Sequence, residues 1–362
     1  MLIESKSSRI WWITDLHLGA RNNSIEWLDR MTEYYYEFFI PLVKENSKEG
    51  DILIIGGDVF DNRQSLNLLV MNRGMEIFEA LSKVFTNGIY IILGNHDIHR
   101  RNSNDITSVD VLKNIKGVHI FKEPEVLNIG SSHKVLMMPW RKNRHEENET
   151  IRQYKDSVDY VFCHANITTL NFNRSVLIED GSDYNLYKGL KHVYSGHIHW
   201  RQTKGNVTFG GNPYQMTRSD AGNDKGVYLI DLESGNHDFF KNTFSPEFVR
   251  LYLDKILDWP LSKVKEICNN NSVDIYVPSE YLLKYPINDL VIVLSKITKK
   301  LEIVSFEVED EVDLEGIEYT ETLNIVNLCD KVIEGTQWEE DVKSSLKEKI
   351  KEVYKKATET EI

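Results

Sequence analysis

Apolar residues along this chain fall into short β-branched runs separated by stretches of helical spacing. Runs at 9–14, 52–56, 89–94, 118–121, 134–138, 159–163, 192–195, 207–210 and 227–230 have the length, and the Gly, Asn and Asp punctuation, of buried strands. Between the first two, Trp27, Leu28, Met31, Tyr34, Tyr35, Phe38 and Phe39 recur every three or four positions and predict a helix. A second helix is expected after Asp61, carrying Leu66, Leu69, Val70, Met75, Ile77 and Phe78. Strand and helix alternate early and strands crowd together later, which predicts an α/β fold of packed sheets flanked by helices.

The pattern changes near Pro246. A strand at 249–253, a helix at 261–268, a strand at 273–277, a helix at 288–301 and a strand at 302–308 make a small α+β unit. An acidic block at 307–315 follows, then two amphipathic helices. One carries Leu323, Val326, Cys329, Val332 and Ile333; the other carries Trp338, Val342, Leu346, Ile350, Val353 and Tyr354. Two helices have little core of their own, so this stripe is expected to dock on a partner or pack back on the parent domain. The expected regions are therefore 1–246, 247–308 and 309–362.

Composition narrows the class. A hydrophobic content of 41% suits a globular chain with a sizeable core, and no apolar run approaches the roughly 20 residues that cross a bilayer. The block at Ile10-Trp11-Trp12-Ile13 runs straight into Thr14-Asp15 and reads as a strand, not a signal peptide. Three widely spaced cysteines, Cys163, Cys268 and Cys329, read as reduced thiols, so a cytoplasmic location is expected, in a bacterium or for a phage protein in its host. The net charge of -13 argues against a protein that coats nucleic acid, but not against a nuclease whose bound metals bring positive charge to the site.

The chemistry gathers at the ends of the predicted strands. Asp15-Leu16-His17 follows the first, and Gly56-Gly57-Asp58-Val59-Phe60-Asp61 the second. Gly94-Asn95-His96-Asp97 follows the third; His164 and then Gly196-His197-Ile198-His199 follow later ones. Carboxyl ends of strands are where open α/β sheets hold ligands. If the Asp15-x-His17 and His197-x-His199 segments are extended, each pair projects to one side and reaches one point. Carboxylate, imidazole and amide donors without thiolate suit Mn²⁺, Fe or Zn²⁺. The donors are too many for one ion, and two ions need a bridging group; Asp58, on a glycine-rich loop after a central strand, is the best candidate. Phe60 and Asp61 read as residues that shape the loop.

The ordered set Asp15-x-His17, Gly57-Asp58-x-x-Asp61, Gly94-Asn95-His96-Asp97, His164 and Gly196-His197-x-His199 resembles the calcineurin-like metallophosphoesterase superfamily. Its flanking details, including Pro139-Trp140 and Gly211-Asn212-Pro213, are similar to the SbcD-type DNA-end-processing nucleases and their phage counterparts. Protein phosphatases of the superfamily differ, with Asp-Arg-Gly after the second motif where this chain has Asp61-Asn62-Arg63. The resemblance implies a β-sandwich flanked by helices, a small α+β capping domain and a C-terminal helical tail. It implies two divalent metal ions, expected to be Mn²⁺, one held by Asp15, His17, Asp58 and His199 and the other by Asp58, Asn95, His164 and His197. It makes His96 the catalytic histidine, with Asp97 orienting it through a hydrogen bond. It further implies a nuclease acting 3′–5′ on duplex DNA and as an endonuclease on single strands, an SMC-like ATPase partner of the SbcC type, and a homodimer with Leu66, Leu69 and Val70 as contacts. Arg21, Arg63, His99, Arg100 and Arg101, in loops beside the motifs, are candidates for DNA phosphate contacts. A phosphatase of small molecules and a non-catalytic scaffold on the same fold are the alternatives.

Overall fold

The computed structural model describes residues 7–100, 103–130, 133–282, 284–285, 287–306, 342–347 and 349–350. The chain divides into two units after Phe306, and each is described by itself. Among the described residues the strands are, in chain order, β1 (Arg9–Ile13), β2 (Ile52–Ile55), β3 (Ile89–Ile92), β4 (Ile98–Arg100), β5 (Ser103–Thr107), β6 (Val118–Phe121), β7 (Glu125–Ile129), β8 (His133–Met138), β9 (Tyr160–His164), β10 (His192–Gly196), β11 (Gln202–Lys204), β12 (Val207–Phe209), β13 (Gly226–Asp231), β14 (Asn236–Lys241), β15 (Phe248–Tyr252), β16 (Ser272–Pro278) and β17 (Lys300–Phe306).

Two six-stranded sheets lie face to face, in the orders β14-β13-β1-β2-β3-β6 and β11-β12-β10-β9-β8-β7. Parallel strands form the middle of each; antiparallel strands finish both edges of the second sheet and the β13-β14 edge of the first, whose other edge, β6, is parallel. Alternation along each strand decides which side chain enters which layer. Ile10 and Trp12 face the second sheet, where Trp12 meets Phe162 at 6.0 Å and Tyr194 at 5.1 Å between ring centres. Trp11 and Ile13 face the other way, onto helices. These are α1 (Ile25–Glu33), which runs through a π-helical stretch at Tyr34–Phe39, and α2 (Leu68–Val84). Asn67 caps α2 by accepting from the backbone N–H of Leu69 and Val70. The outer face of the second sheet, with Val161, Cys163 and Val193, is covered by α3 (Arg144–Tyr154) and the loops after β9. An α/β fold with sheets flanked by helices is therefore borne out.

Beyond Pro246, β15, β16 and β17 form a parallel three-stranded sheet with α4 (Leu261–Cys268) and α5 (Ile287–Leu294) and a core of its own around Val273, Ile275 and Val277. One expectation is corrected here. The helix predicted over 288–301 stops at Leu294, because residues 295–299 turn back on themselves (Ile297 and Thr298 both donate to the Leu294 carbonyl) and β17 begins at Lys300. In the second unit residues 342–347 are helical, with Val342 and Leu346 exposed one turn apart. The acidic block, the helix expected around Leu323–Ile333 and Arg101 lie outside the described residues.

Candidate metal centre

The carboxyl ends of β1, β2 and β3 from one sheet and of β9 and β10 from the other meet at one edge of the sandwich, and every predicted ligand stands there. The Asp15–Leu18 loop runs beside the Gly57–Phe60 loop, with Asp15 N donating to Gly57 O (3.0 Å), His17 N to Asp58 O (2.9 Å) and Leu18 N to Val59 O (2.9 Å). Close approach of β3 is possible only at glycine: a Cβ on Gly94 would lie 2.1 Å from Asp58 Oδ1. On the far side, Gly74 of α2 leaves room for Phe60, which a Cβ there would meet at 2.8 Å.

Asp15, His17, Asp58 and His197 all take left-handed φ values, 55°, 46°, 52° and 80°. Such a backbone costs about 1–3 kcal/mol at each non-glycine residue and persists where function demands it. It also corrects the reading of both i, i+2 pairs as extended. Asp15 and His17 converge through paired kinks. His197 and His199 diverge: His199 joins Asp15 and His17, while His197 joins Asp58 and His164, each group's ligand atoms lying within 4.8 Å of one another. The third such group is His17, Asp58 and His96.

Asp58 is the hub. Its Oδ1 accepts from His96 N at 2.8 Å, while Oδ2 lies 3.3 Å from His164 Nε2 and 3.7 Å from His17 Nε2. The Asp15 carboxylate accepts from His197 N through both oxygens, at 3.0 and 3.1 Å. Asn95 Oδ1 lies 3.1 Å from His164 Nε2.

Two observations test whether these residues fit divalent ions. His164 Nδ1 donates to the Gly56 carbonyl at 2.7 Å, and a carbonyl can only accept, so Nε2 is the nitrogen aimed at two oxygens, of Asp58 and Asn95. Oxygens and a ring nitrogen turned on one spot suit a cation: a proton on Nε2 in metal-free protein, or a metal ion once that proton leaves. Likewise His17 Nδ1 is held by Asp61 Oδ1 at 3.1 Å, which turns its Nε2 onto His199 Nε2 at 3.0 Å. Electrostatics agree. Burial opposes the Asp58 charge, yet the imidazoles of His164 and His17 hold its carboxyl far below the usual range. Burial likewise opposes a charge on His164, but Asp58 lifts it to about 9. His17 is raised too, by Asp61, Asp58 and Asp15 against burial. His197 and His199 are pulled down to about 4 by burial and by His164 and His17 respectively, and are neutral ligands at pH 7. The donor set fits.

Asp97 does not do what was expected of it. Its buried carboxylate accepts from the backbone N–H of Asp58 (2.8 Å), Gly94 (2.9 Å) and Val59 (3.0 Å), bracing the loop behind Asp58. The ring of His96 is oriented instead by the Asp61 carbonyl, 2.6 Å from its Nδ1. Asp61 thus sets both His17 and His96, a role its loop position alone did not reveal. Of the basic candidates, Arg21 stacks on Trp27 and donates to the Met216 carbonyl at 2.8 Å. Arg63 is half-buried, and His99 and Arg100 are exposed on β4, directly after the His96 loop.

Residues 8–221 match the family described as calcineurin-like phosphoesterase. The chain belongs to that family. With the ligand groups above, membership implies divalent metal ions and phosphoester hydrolysis. The phosphoesterase is also similar to exonuclease subunit 1 of enterobacteria phage T4, with 25% identity over 231 residues, 63% of this chain and 66% of that protein, so a little less than two thirds of the relative is spanned. Among solved structures, a protein of unknown function from Aquifex aeolicus overlaps 46% of this chain and 82% of its own, with 18% identity and a TM-score of 0.27. A superposition this loose says nothing further of the chain.

Proposed function

We propose that this phosphoesterase is the nuclease subunit of a DNA-end-processing assembly, cleaving duplex ends 3′–5′ and single strands internally, with two Mn²⁺ ions and an SMC-like ATPase partner. The observation that carries the hydrolytic reading is Asp58 Oδ2, set between the Nε2 atoms of His164 and His17. DNA as the substrate is supported by the similarity to a phage exonuclease subunit and by the exposed His99 and Arg100 beside the site.

In this reading Asp15, His17, Asp58 and His199 hold one ion and Asp58, Asn95, His164 and His197 the other. Bound there, the ions would supply an acidified water and draw charge from the phosphoryl oxygens. Water, its proton passing to solvent, attacks phosphorus in line, and the P–O bond to the departing alkoxide breaks. His96 gives that alkoxide a proton. Its Nδ1 is committed to the Asp61 carbonyl, which leaves Nε2 as the ring nitrogen for that transfer. Asp97 holds the Asp58 and Gly94 amides so that the bridging carboxylate does not swing. The sheet of residues 248–306 would cap the site and steer DNA, and the tail would dock the ATPase; of the contacts expected for a second copy Val70 is buried, so the exposed Leu69, with its neighbour Leu68 at the start of α2, would meet it instead.

End-labelled duplex, single-stranded DNA and p-nitrophenyl phosphate, each with Mn²⁺ or Mg²⁺, test the proposal. Metal-dependent DNA cleavage, strongest with Mn²⁺, is expected. Hydrolysis of p-nitrophenyl phosphate with DNA left intact would favour a phosphatase.

A further inference from the structure

His199, like His197 and Asn95, is a half-buried ligand. Its side chain is 33% exposed, whereas those of His17 and His164 are buried, so packing alone does not hold it. What grips it is behind the site. Lys225 is 3% exposed, and its ammonium donates to the His199 carbonyl oxygen and lies 2.7 Å from Asp220 Oδ1. A lysine this deep is tolerated only when paired. Asp220, equally buried, turns its other oxygen to the backbone N–H of Met216 (2.9 Å) and Thr217 (2.8 Å). The same segment holds the chain just past His199: Asn223 accepts from Arg201 N at 2.9 Å and donates to Arg201 O at 3.0 Å, and Arg201 Nε reaches the Asp224 carbonyl at 2.9 Å. Gly211 closes the far side, where a Cβ would lie 2.7 Å from the His199 carbonyl oxygen.

The turn that carries Asp220 is itself held by the three-stranded sheet. Arg218 Nε donates to Asp274 Oδ2 of β16 at 2.7 Å, its guanidinium meets Glu302 of β17 at 2.6 Å, and Arg250 of β15 donates to the Arg218 carbonyl at 2.7 Å. All three strands thus grip one turn, and that turn holds the lysine that holds His199.

We propose that Lys225 is a positioning residue for His199, and that Asp220 and Arg218 tie the seat of this ligand to the three-stranded sheet. The inference rests on the two-ion reading above, because it assigns His199 to one ion of the pair. A buried ion pair is a weak source of stability, but it fixes geometry, and a group that orients a metal ligand governs affinity for the ion. The tie gives the sheet leverage chiefly over the metal site that His199 serves.

Calorimetric titration of Mn²⁺ into the metal-free full-length chain tests this without measuring turnover. Wild type is expected to show two binding steps. Lys225→Met should weaken one of them about tenfold or more, as loss of a ligand-orienting group does, and leave the other intact. The affected step should be the one that His199→Ala removes and His197→Ala spares. Because Lys225→Met leaves Asp220 buried without its partner, Lys225→Met/Asp220→Asn provides a variant with both charges removed, and the same selective loss is expected. Arg218→Gln should weaken that step several-fold. Wild-type steps in a folded Lys225→Met or in the double variant would overturn the positioning role, and wild-type steps in Arg218→Gln would overturn the tie. A wild-type chain that bound no Mn²⁺ would bring down the two-ion reading itself, and the inference with it.

Discussion

The backbone N–H of His96 donates to Asp58 Oδ1 at 2.8 Å. The carboxylate proposed to bridge the ions therefore also fixes the loop that carries the proposed acid. Ion binding and proton delivery share one hinge point, and disturbing Asp58 should disturb both.

His96 separates the two functions from the other side. Its ring is held by the Asp61 carbonyl and not by a carboxylate of the ligand set. His96→Gln should keep two bound ions and lower kcat by about 10²–10⁴, the range of general acid catalysis. Metal stoichiometry measured on the same preparation checks the division; loss of an ion in His96→Gln would make it a ligand.

Asp61 should matter without touching an ion. Its side chain orients His17 at 3.1 Å, and removal of such a partner lowers metal affinity or activity about 10- to 100-fold. Asp61→Ala should therefore weaken the site of Asp15, His17 and His199 more than that of His164 and His197. Metal titration with turnover measured in parallel reads the effect.

Asp97 is a structural carboxylate. It receives the amides of Asp58, Val59 and Gly94; burial and the neighbouring Asp58 push its carboxyl up to about 7, and hydrogen bonds contribute about 0.5–1.5 kcal/mol each to a neutral group and about 1.5–3 to a charged one, without adding fully. Asp97→Ala should destabilise the metal-free fold by about 3 kcal/mol or more, seen as a lower midpoint in urea, with the His96 ring still against the Asp61 carbonyl.

Protons and metal compete at this centre. Asp58 lifts His164 to about 9 against burial, so it carries a proton at pH 7 in metal-free protein, and the carboxylates of Asp61, Asp58 and Asp15 raise His17 as well; His197 and His199, near 4, are neutral. Metal binding at pH 7 should release about one proton, from His164, measurable by calorimetry in buffers of different ionisation enthalpy. Apparent affinity should rise with pH and level off above about 9. A raised folded-state pKa contributes stability below the unfolded value and loses it as pH climbs. Metal-free protein should therefore lose stability between the ordinary histidine value of 6.5 and about 9, and saturating Mn²⁺ should flatten that slope.

Much of this centre was legible in the chain because ligands sit where strands end. The strand of Trp11 and Trp12 and the strand of Ile52–Ile55 announce themselves by run length, and Asp15 and Asp58 follow directly. Edge strands were less visible: β14, Asn-His-Asp-Phe-Phe-Lys, is largely polar and half-exposed, and α3 has too few apolar residues to show a period. The backbone kinks at Asp15, His17 and His197 left no mark, since none of these residues is glycine. Nor did the partner of Asp97, whose amides come from another strand's loop, or the burial of Lys225, which in sequence is one more lysine between turn residues.

The central claim is that Asp58 bridges two ions, and counting bound metal tests it most directly. Mn²⁺ bound per chain should be two in wild type, close to one when His17 is replaced by Ala, and sharply lower at both sites in Asp58→Asn, with hydrolysis lost. An Asp58→Asn protein that kept both ions and full activity would contradict the account.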